Sequence, residues 1–257
     1  MDNIKERYIS SYLPLVESFV KDLDAEQYAN IPELFLPLFG KNFEHSKAKI
    51  AFVGRDTLRW GSMVEFIKHG QDNPKEALFR NLGEFQHLDF KGWMHNSGRN
   101  YWGFIYRVLS QIHGVSNWKD LPNGKRDDVL DQMAWGNTHA LENFGATPKN
   151  EGASRQHYDE LNKRSIPFKS FRHLYKVLEP DLVILMNWRA SEARVAAGDT
   201  NCQATEIEKH IWYYFFPEAN RHVIQVPHPT YIARSGKYDF DDFAKKVAQI
   251  AKDKLNG

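Results

Sequence analysis

Four short apolar runs separated by helical segments predict an α/β protein, specifically a three-layer α/β/α sandwich around a short four-stranded, mainly parallel sheet. The runs occupy residues 49–54, 133–138, 181–186 and 222–226. None alternates apolar with polar residues. Continuous apolar runs fit strands covered on both faces, the usual condition of parallel strands. Strands alternating with helices then imply covering layers on one sheet.

The elements follow in chain order. Residues 4–23 place Ile9, Tyr12, Leu13, Val16, Phe19 and Val20 in a stripe at helical spacing. The apolar stretch 31–39 holds Pro32 and Pro37 and ends at Gly40, which predicts a short helix or turn. After the strand at 49–54, residues 55–100 read as a long connection. Residues 100–113 carry Trp102, Ile105, Tyr106, Leu109 and Ile112 on one helical face. The strand at 133–138 is weakened by Gly136 and is followed by a second long connection, 139–167. Long connections in a compact domain are more often functional than accidental. A helix at 168–178 leads through Glu179 and Pro180 into the third strand, and 190–197 reads as the helix after it. The last helix, about 239–255, opens with acidic residues and closes with lysines, matching the helix dipole. These elements make one domain over 1–257, with 1–48 as a helical extension packed on it.

Composition narrows the class. The 257 residues are 42% hydrophobic and 26% charged, which is ordinary for a globular chain and large enough to fold without disulfides or metal. The single cysteine, Cys202, can form neither an internal disulfide nor a Cys-based zinc site, and it sits among polar residues. A reducing, cytoplasmic setting is expected. No window has the length of a membrane span, and the charged start Met1–Arg7 does not read as a signal peptide. A formal net charge of +1 leaves nucleic-acid binding to a local basic face. Phosphate-binding loops, dinucleotide fingerprints, nucleophile elbows and His-Glu-x-x-His helices are all missing from the sequence. The 11 histidines are scattered and suggest no metal site.

In an open α/β sheet, ligands bind outside the carboxyl ends of the strands. The first strand runs into Gly54-Arg55-Asp56-Thr57. There Asp56 either orients a water or a cation, or caps the following segment. The second ends at Asn137-Thr138-His139. The asparagine offers a donor and an acceptor together, as a pyrimidine edge does, or else makes a local turn bond. The third runs into Asn187-Trp188-Arg189, where Arg189 is either a phosphate contact at a helix start or part of a solvated end. After the fourth comes Pro227-His228-Pro229-Thr230-Tyr231. A histidine between two prolines has little backbone freedom. It either donates to a developing anion or stands incidentally in a rigid turn. The segment His95–Trp102 is polar, holds Gly98, and enters the helix at 100–113; its lead-in is placed to line a cleft.

The order of these motifs resembles the uracil-DNA glycosylase superfamily. The uracil-specific branch reads Gly-Gln-Asp-Pro-Tyr where this chain has Gly54-Arg55-Asp56-Thr57-Leu58, and His-Pro-Ser where this chain has His228-Pro229-Thr230. The stretch Asn100-Tyr101-Trp102-Gly103 is similar to the Asn-x-Phe-Trp helix start of mismatch-type members. The resemblance spans about residues 49–234. It implies a DNA glycosylase that hydrolyses the N-glycosidic bond of a damaged or mismatched, uracil-like base, with no metal and no cofactor. Asp56 would position the attacking water and His228 would stabilise the departing base. Asn137 would read the pyrimidine edge, with Gly54 and Arg55 beside it. Trp60 or Phe66 would supply an aromatic platform for a base drawn out of the stack. Arg189, Thr230, Tyr231, Arg234 and Lys237 would meet the DNA.

The departures carry meaning as well. In the uracil-specific branch a tyrosine excludes the thymine methyl group; Leu58 stands in its place. Strict uracil selectivity is therefore not expected. Two other readings remain open: an inactive member of the fold that binds nucleic acid or protein, and an α/β hydrolase of a small nucleotide-like substrate using Asp56 and His228 as acid-base partners.

Overall fold

A computed structural model describes residues 3–55, 57, 60–87, 99–114, 129–144, 154–169, 171–187, 204–216 and 221–256. The described residues form a mixed α/β fold on one seven-stranded sheet. Its strands are β1 (Leu38–Phe39), β2 (Ile50–Gly54), β3 (Met133–Asn137), β4 (Leu182–Met186), β5 (Ala204–Glu208), β6 (Ile211–Phe216) and β7 (Arg221–Val226). They lie in the order β1-β3-β2-β4-β7-β6-β5.

The four runs singled out in the sequence are the parallel centre of this sheet. β3, β2, β4 and β7 pair in parallel, with Gly54 opposite Asn137, Ile50 opposite Leu182, and Leu182 opposite His222. β2 and β4 are buried at every position, as continuous apolar runs require. The expected strand number of four is corrected to seven. β1 adds antiparallel to β3, and β6 and β5 add antiparallel beyond β7. β1 is only two residues long, and β5 is exposed along its whole length, so neither carries an apolar run. β6, Ile-Trp-Tyr-Tyr-Phe-Phe, does carry one and is the strand the pattern could have found.

The helices are α1 (Ile4–Val20), α2 (Met63–Asp72), α3 (Pro74–Gln86), α4 (Arg99–Ile112), α5 (Arg155–Arg164), α6 (Phe171–Leu178), α7 (Pro229–Arg234) and α8 (Phe240–Asn256). α1 starts in a capping box: the Lys5 N–H donates to Asn3 at 2.9 Å, and the Asn3 N–H donates to Glu6 at 3.3 Å. It buries Tyr8, Tyr12, Val16 and Phe19 and packs against α2, α3 and α6. α8 packs against α4 and, more lightly, against β7.

Two expected loops hold helices instead. Within 55–100 lie α2 and α3. Met63, Phe66, Ile67 and Gly70 line the buried face of α2, at spacings of three and four. Ser62 caps it, and Asn73 caps α3 ahead of Pro74. Within 139–167 lies α5, capped by Ser154. The stretch 31–39 is neither helix nor turn but buried extended chain leading into β1. Its backbone is tied in mid-run: the Phe35 N–H donates to the Ala140 carbonyl at 2.7 Å, and the Tyr8 hydroxyl donates to the Pro37 carbonyl at 2.8 Å. Within residues 3–48, α1 and the 31–39 stretch thus contribute buried side chains to the core. The expected helix at 190–197 and Cys202 lie outside the described residues.

Gly40 is a point of close main-chain approach in this packing. Its N–H donates to the Met133 carbonyl at 2.9 Å, and a β-carbon there would stand 2.2 Å from the Asp131 carbonyl oxygen. Main chain cannot step aside as a side-chain tip can. Gly40→Ala should therefore cost about 2–3 kcal/mol of stability, read as a lower urea midpoint with an unchanged slope.

Candidate functional site

The parallel strands put their carboxyl ends on one edge, and the chain changes direction across the sheet there. From β2 it crosses to β3 on one side, then to β4 and β7 on the other. Ligand crevices of open α/β sheets form at such a reversal, which here lies between β2 and β4. Gly54 ends β2 at this point, Asn137 ends β3 beside it, and Asn187 and His228 follow β4 and β7.

The strands' alignment continues past their ends. The Thr138 N–H donates to the Gly54 carbonyl and the His139 N–H to the Arg55 carbonyl, both at 2.9 Å. The Thr138 hydroxyl also donates to the Arg55 carbonyl, at 3.1 Å. Arg55 therefore serves the site through its backbone, while its side chain is exposed.

Asn137 is held at both ends of its amide. With the amide oriented to satisfy its surroundings, Nδ2 donates to the Gly136 carbonyl at 2.9 Å, and Oδ1 accepts from the Thr57 N–H at 3.2 Å. An amide has two donor hydrogens and two acceptor lone pairs. These two bonds leave one of each, fixed in direction, on a half-buried side chain.

Tyr101, near the start of α4, closes the space over Gly54. A β-carbon on Gly54 would lie 2.9 Å from the Asn137 amide and 3.0 Å from the Tyr101 hydroxyl. The Tyr101 hydroxyl accepts from Trp135 Nε1 at 3.0 Å. Behind it, Trp135 rests on Trp102, Phe35 and Trp60, with ring centroids 4.9, 4.5 and 5.5 Å away. Burial holds the Tyr101 phenol well above the usual tyrosine range, partly opposed by the Trp135 bond. It is a neutral hydroxyl at physiological pH and keeps its own hydrogen to donate.

The same ring reaches His228, with centroids 5.9 Å apart and planes inclined at 32°. His228 caps α7 with its imidazole: Nδ1 accepts the Thr230 N–H at 3.2 Å. A neutral imidazole whose Nδ1 accepts must carry its hydrogen on Nε2. The cap bond thus favours Nε2 as the donating nitrogen. Asn137, Gly54, Tyr101 and His228 form one continuous group along the edge.

The remaining expected residues divide. Thr230 supplies the N–H that sets the His228 tautomer, and Tyr231 is half-buried on α7. Arg234 and Lys237 are exposed just beyond it. Trp60 is half-buried and meets Phe35 and Trp135 edge-on, behind the Tyr101–Trp135 pair. Phe66 is corrected outright as a platform: it faces the core from α2 and packs edge-on against Phe19 of α1, 6.1 Å between centroids. Asp56 and Arg189 lie outside the described residues, as does the segment before α4 from His95 to Gly98.

Two residues at this edge were not expected as site residues. Tyr101 was legible only as part of an aromatic helix start. Asn187 carries a buried polar side chain at the strand reversal, and its N–H donates to the Val226 carbonyl at 3.0 Å. A polar residue directly after an all-apolar strand was the signal for it.

The sequence matches no known family model and no curated protein. Among the described residues, no three His, Cys, Asp or Glu side chains stand close enough to hold a metal ion. What the edge offers is a fixed donor-acceptor pair, a neutral phenol and an imidazole donor.

Gly54→Ala should push the Asn137 amide or the Tyr101 hydroxyl out of place. Both are anchored, so the expected cost is about 1–3 kcal/mol. Trp135→Phe, which removes the bond to Tyr101 and part of the indole ring, should cost at least about 1 kcal/mol. Chemical denaturation of both variants checks the order.

Proposed function

We propose that this chain is a divergent member of the uracil-DNA glycosylase superfamily. In this reading it hydrolyses the N-glycosidic bond of a damaged or mismatched, uracil-like base in DNA. The observation that carries it is the meeting of Asn137 and Tyr101 over the bare Gly54 at the strand reversal, with His228 beside the Tyr101 ring. Each has a task in this chemistry. The spare donor and acceptor of Asn137 match a pyrimidine edge. The Tyr101 ring replaces Trp60 and Phe66 as the platform for the base. Nε2–H of His228 donates to the oxygen on which negative charge collects as the base leaves. The bond between C1′ and the base nitrogen breaks, water adds at C1′, and the base departs as an anion that later takes a proton. Asp56, from the motif after β2, is the residue we assign to the water and the sugar cation.

The target base must leave the stack to reach this edge. Exposed Arg234 and Lys237 beyond His228 are suited to the flanking phosphates, with Tyr231 beside them. Arg189 is assigned the same role from its place after β4. A three-layer arrangement belongs to the same reading, supported by two groups of helices: α1 with α2, α3 and α6, and α4 with α8. No helix among the described residues is long and apolar enough to cross a membrane. A cytoplasmic setting is part of the proposal.

The test is base release from oligonucleotides carrying uracil, mismatched thymine, hypoxanthine or oxidised pyrimidines, single- and double-stranded. Release should be seen for at least one lesion. His228→Ala and Asn137→Ala should each slow it by roughly 100- to 1,000-fold, the usual loss for a placed donor, and Asp56→Ala by at least as much. Folded protein that releases no base from any of them would overturn the reading.

A further inference from the structure

A cleft of about 880 Å³ opens at the opposite end of the parallel strands. Its walls are the residues that precede or begin the strands and the residues that end two helices. Lys47 comes just before β2, Gln132 before β3, Asp181 before β4, and Arg221 and His222 begin β7. His113 follows α4, and Lys252 and Lys254 sit in the last turns of α8.

The charge here is out of proportion to the molecule. The chain as a whole is nearly neutral, with 34 lysines and arginines against 33 acids. This cleft has four permanent cations, Lys47, Lys252, Lys254 and Arg221, against the single carboxylate of Asp181. Three positive charges stay uncompensated, before counting His45, His113 and His222, which also line it. Asp181 is already engaged: it accepts the Lys49 N–H at 2.8 Å and stands 3.8 Å from Arg221.

Helix ends account for part of this, because lysines favour a helix carboxyl terminus. That covers Lys252 and Lys254 but not Lys47 or Arg221, which lie on a loop and a strand. Lys254 is also tied to the His222 side of the cleft through Tyr213. Lys254 lies over the Tyr213 ring, 4.2 Å from its centre, and the Tyr213 hydroxyl is 2.6 Å from His222 Nδ1. Both buried-side histidines respond to the local field. Desolvation, then Lys254 and Arg221, lowers the His222 pKa; desolvation, then Lys47, lowers that of His113. Concentrating like charge around a concave wall is unfavourable unless an anion offsets it.

We propose that this cleft binds an oligophosphate, two or more linked phosphate groups, either free or borne by a nucleotide. The volume lies within the range of small-ligand sites, and the surplus of three charges matches a condensed phosphate better than a single one. The lining is more polar than apolar, so the phosphates rather than a base would supply the affinity. The site is separate from the edge holding His228, so its test stands or falls without the glycosylase reading.

The experiment is calorimetric titration of the intact chain with sodium tripolyphosphate, ATP and adenosine. Tripolyphosphate and ATP should bind, and adenosine should not; ATP binding alone would assign the site to nucleotides. Lys47→Glu with Lys252→Glu should weaken binding by roughly tenfold or more, whereas Lys5→Glu, exposed on α1, should not. If the double variant does not fold, Lys47→Gln, at an exposed position, should still weaken binding about threefold. On saturation, the imidazole pKa values of His113 and His222 should rise, read by nuclear magnetic resonance. No binding at millimolar ligand would overturn the proposal. So would equal losses in the variants and in Lys5→Glu, or a single-stranded oligonucleotide held at this cleft when tripolyphosphate is not.

Discussion

The bare α-carbon of Gly54 is the constraint on which the strand-end site depends. It closes β2 at the point where the sheet reverses, and only an absent side chain lets the Asn137 amide and the Tyr101 hydroxyl come together there. Remove that space and the amide loses its bond to the Thr57 N–H or the phenol loses Trp135. The aromatic group of Trp135, Trp102, Phe35 and Trp60 stands behind Tyr101 and keeps the ring from retreating. The core therefore positions the site from below, and the parallel register positions it from the side. Placement of this kind is what lets weak groups act at full strength, since little rearrangement remains when a ligand arrives.

The two ends of the sheet differ in chemistry for a structural reason. At the carboxyl edge the described groups that meet are directional: an amide, a phenol and an imidazole. At the amino edge the strands begin beside the carboxyl ends of α4 and α8, and the groups are cationic and less directional. The first arrangement suits discrimination by shape and hydrogen bonds; the second suits charge.

Much of this was legible in the residues, and the failures have identifiable causes. The continuous apolar runs at 49–54, 181–186 and 222–226 gave the buried parallel strands because strands covered on both faces need no alternation. Gly136 made the run at 133–138 look weak, yet a side chain there would press on Leu174 of α6, so the glycine belongs to the packing. β5 was hidden because an exposed edge strand keeps a polar sequence. α2 and α3 were hidden by reading length as looseness, although Ser62, Asn73 and Pro74 mark their starts. The places of Asn137 and His228 at the carboxyl edge were legible because one ends and the other closely follows a strand whose apolar run is continuous. Tyr101 was not, because a sequence does not tell which aromatic of a buried helix start faces a strand end thirty-six residues later. Phe66 was misassigned for the converse reason: nearness in sequence to Asp56 says nothing about which way a helix face turns.

The central claim is that Asn137, Tyr101 and His228 bound one ligand space suited to a pyrimidine edge. The most direct measurement is a nuclear magnetic resonance titration of the intact protein with free uracil. It would follow the Asn137 side-chain amide, the Tyr101 ring and the His228 imidazole together. The account predicts that all three move along one saturable curve, that His228 stays in the Nε2–H form, and that Gly54→Ala abolishes the response. Uracil that moves these signals independently, or an imidazole carrying its hydrogen on Nδ1, would contradict it.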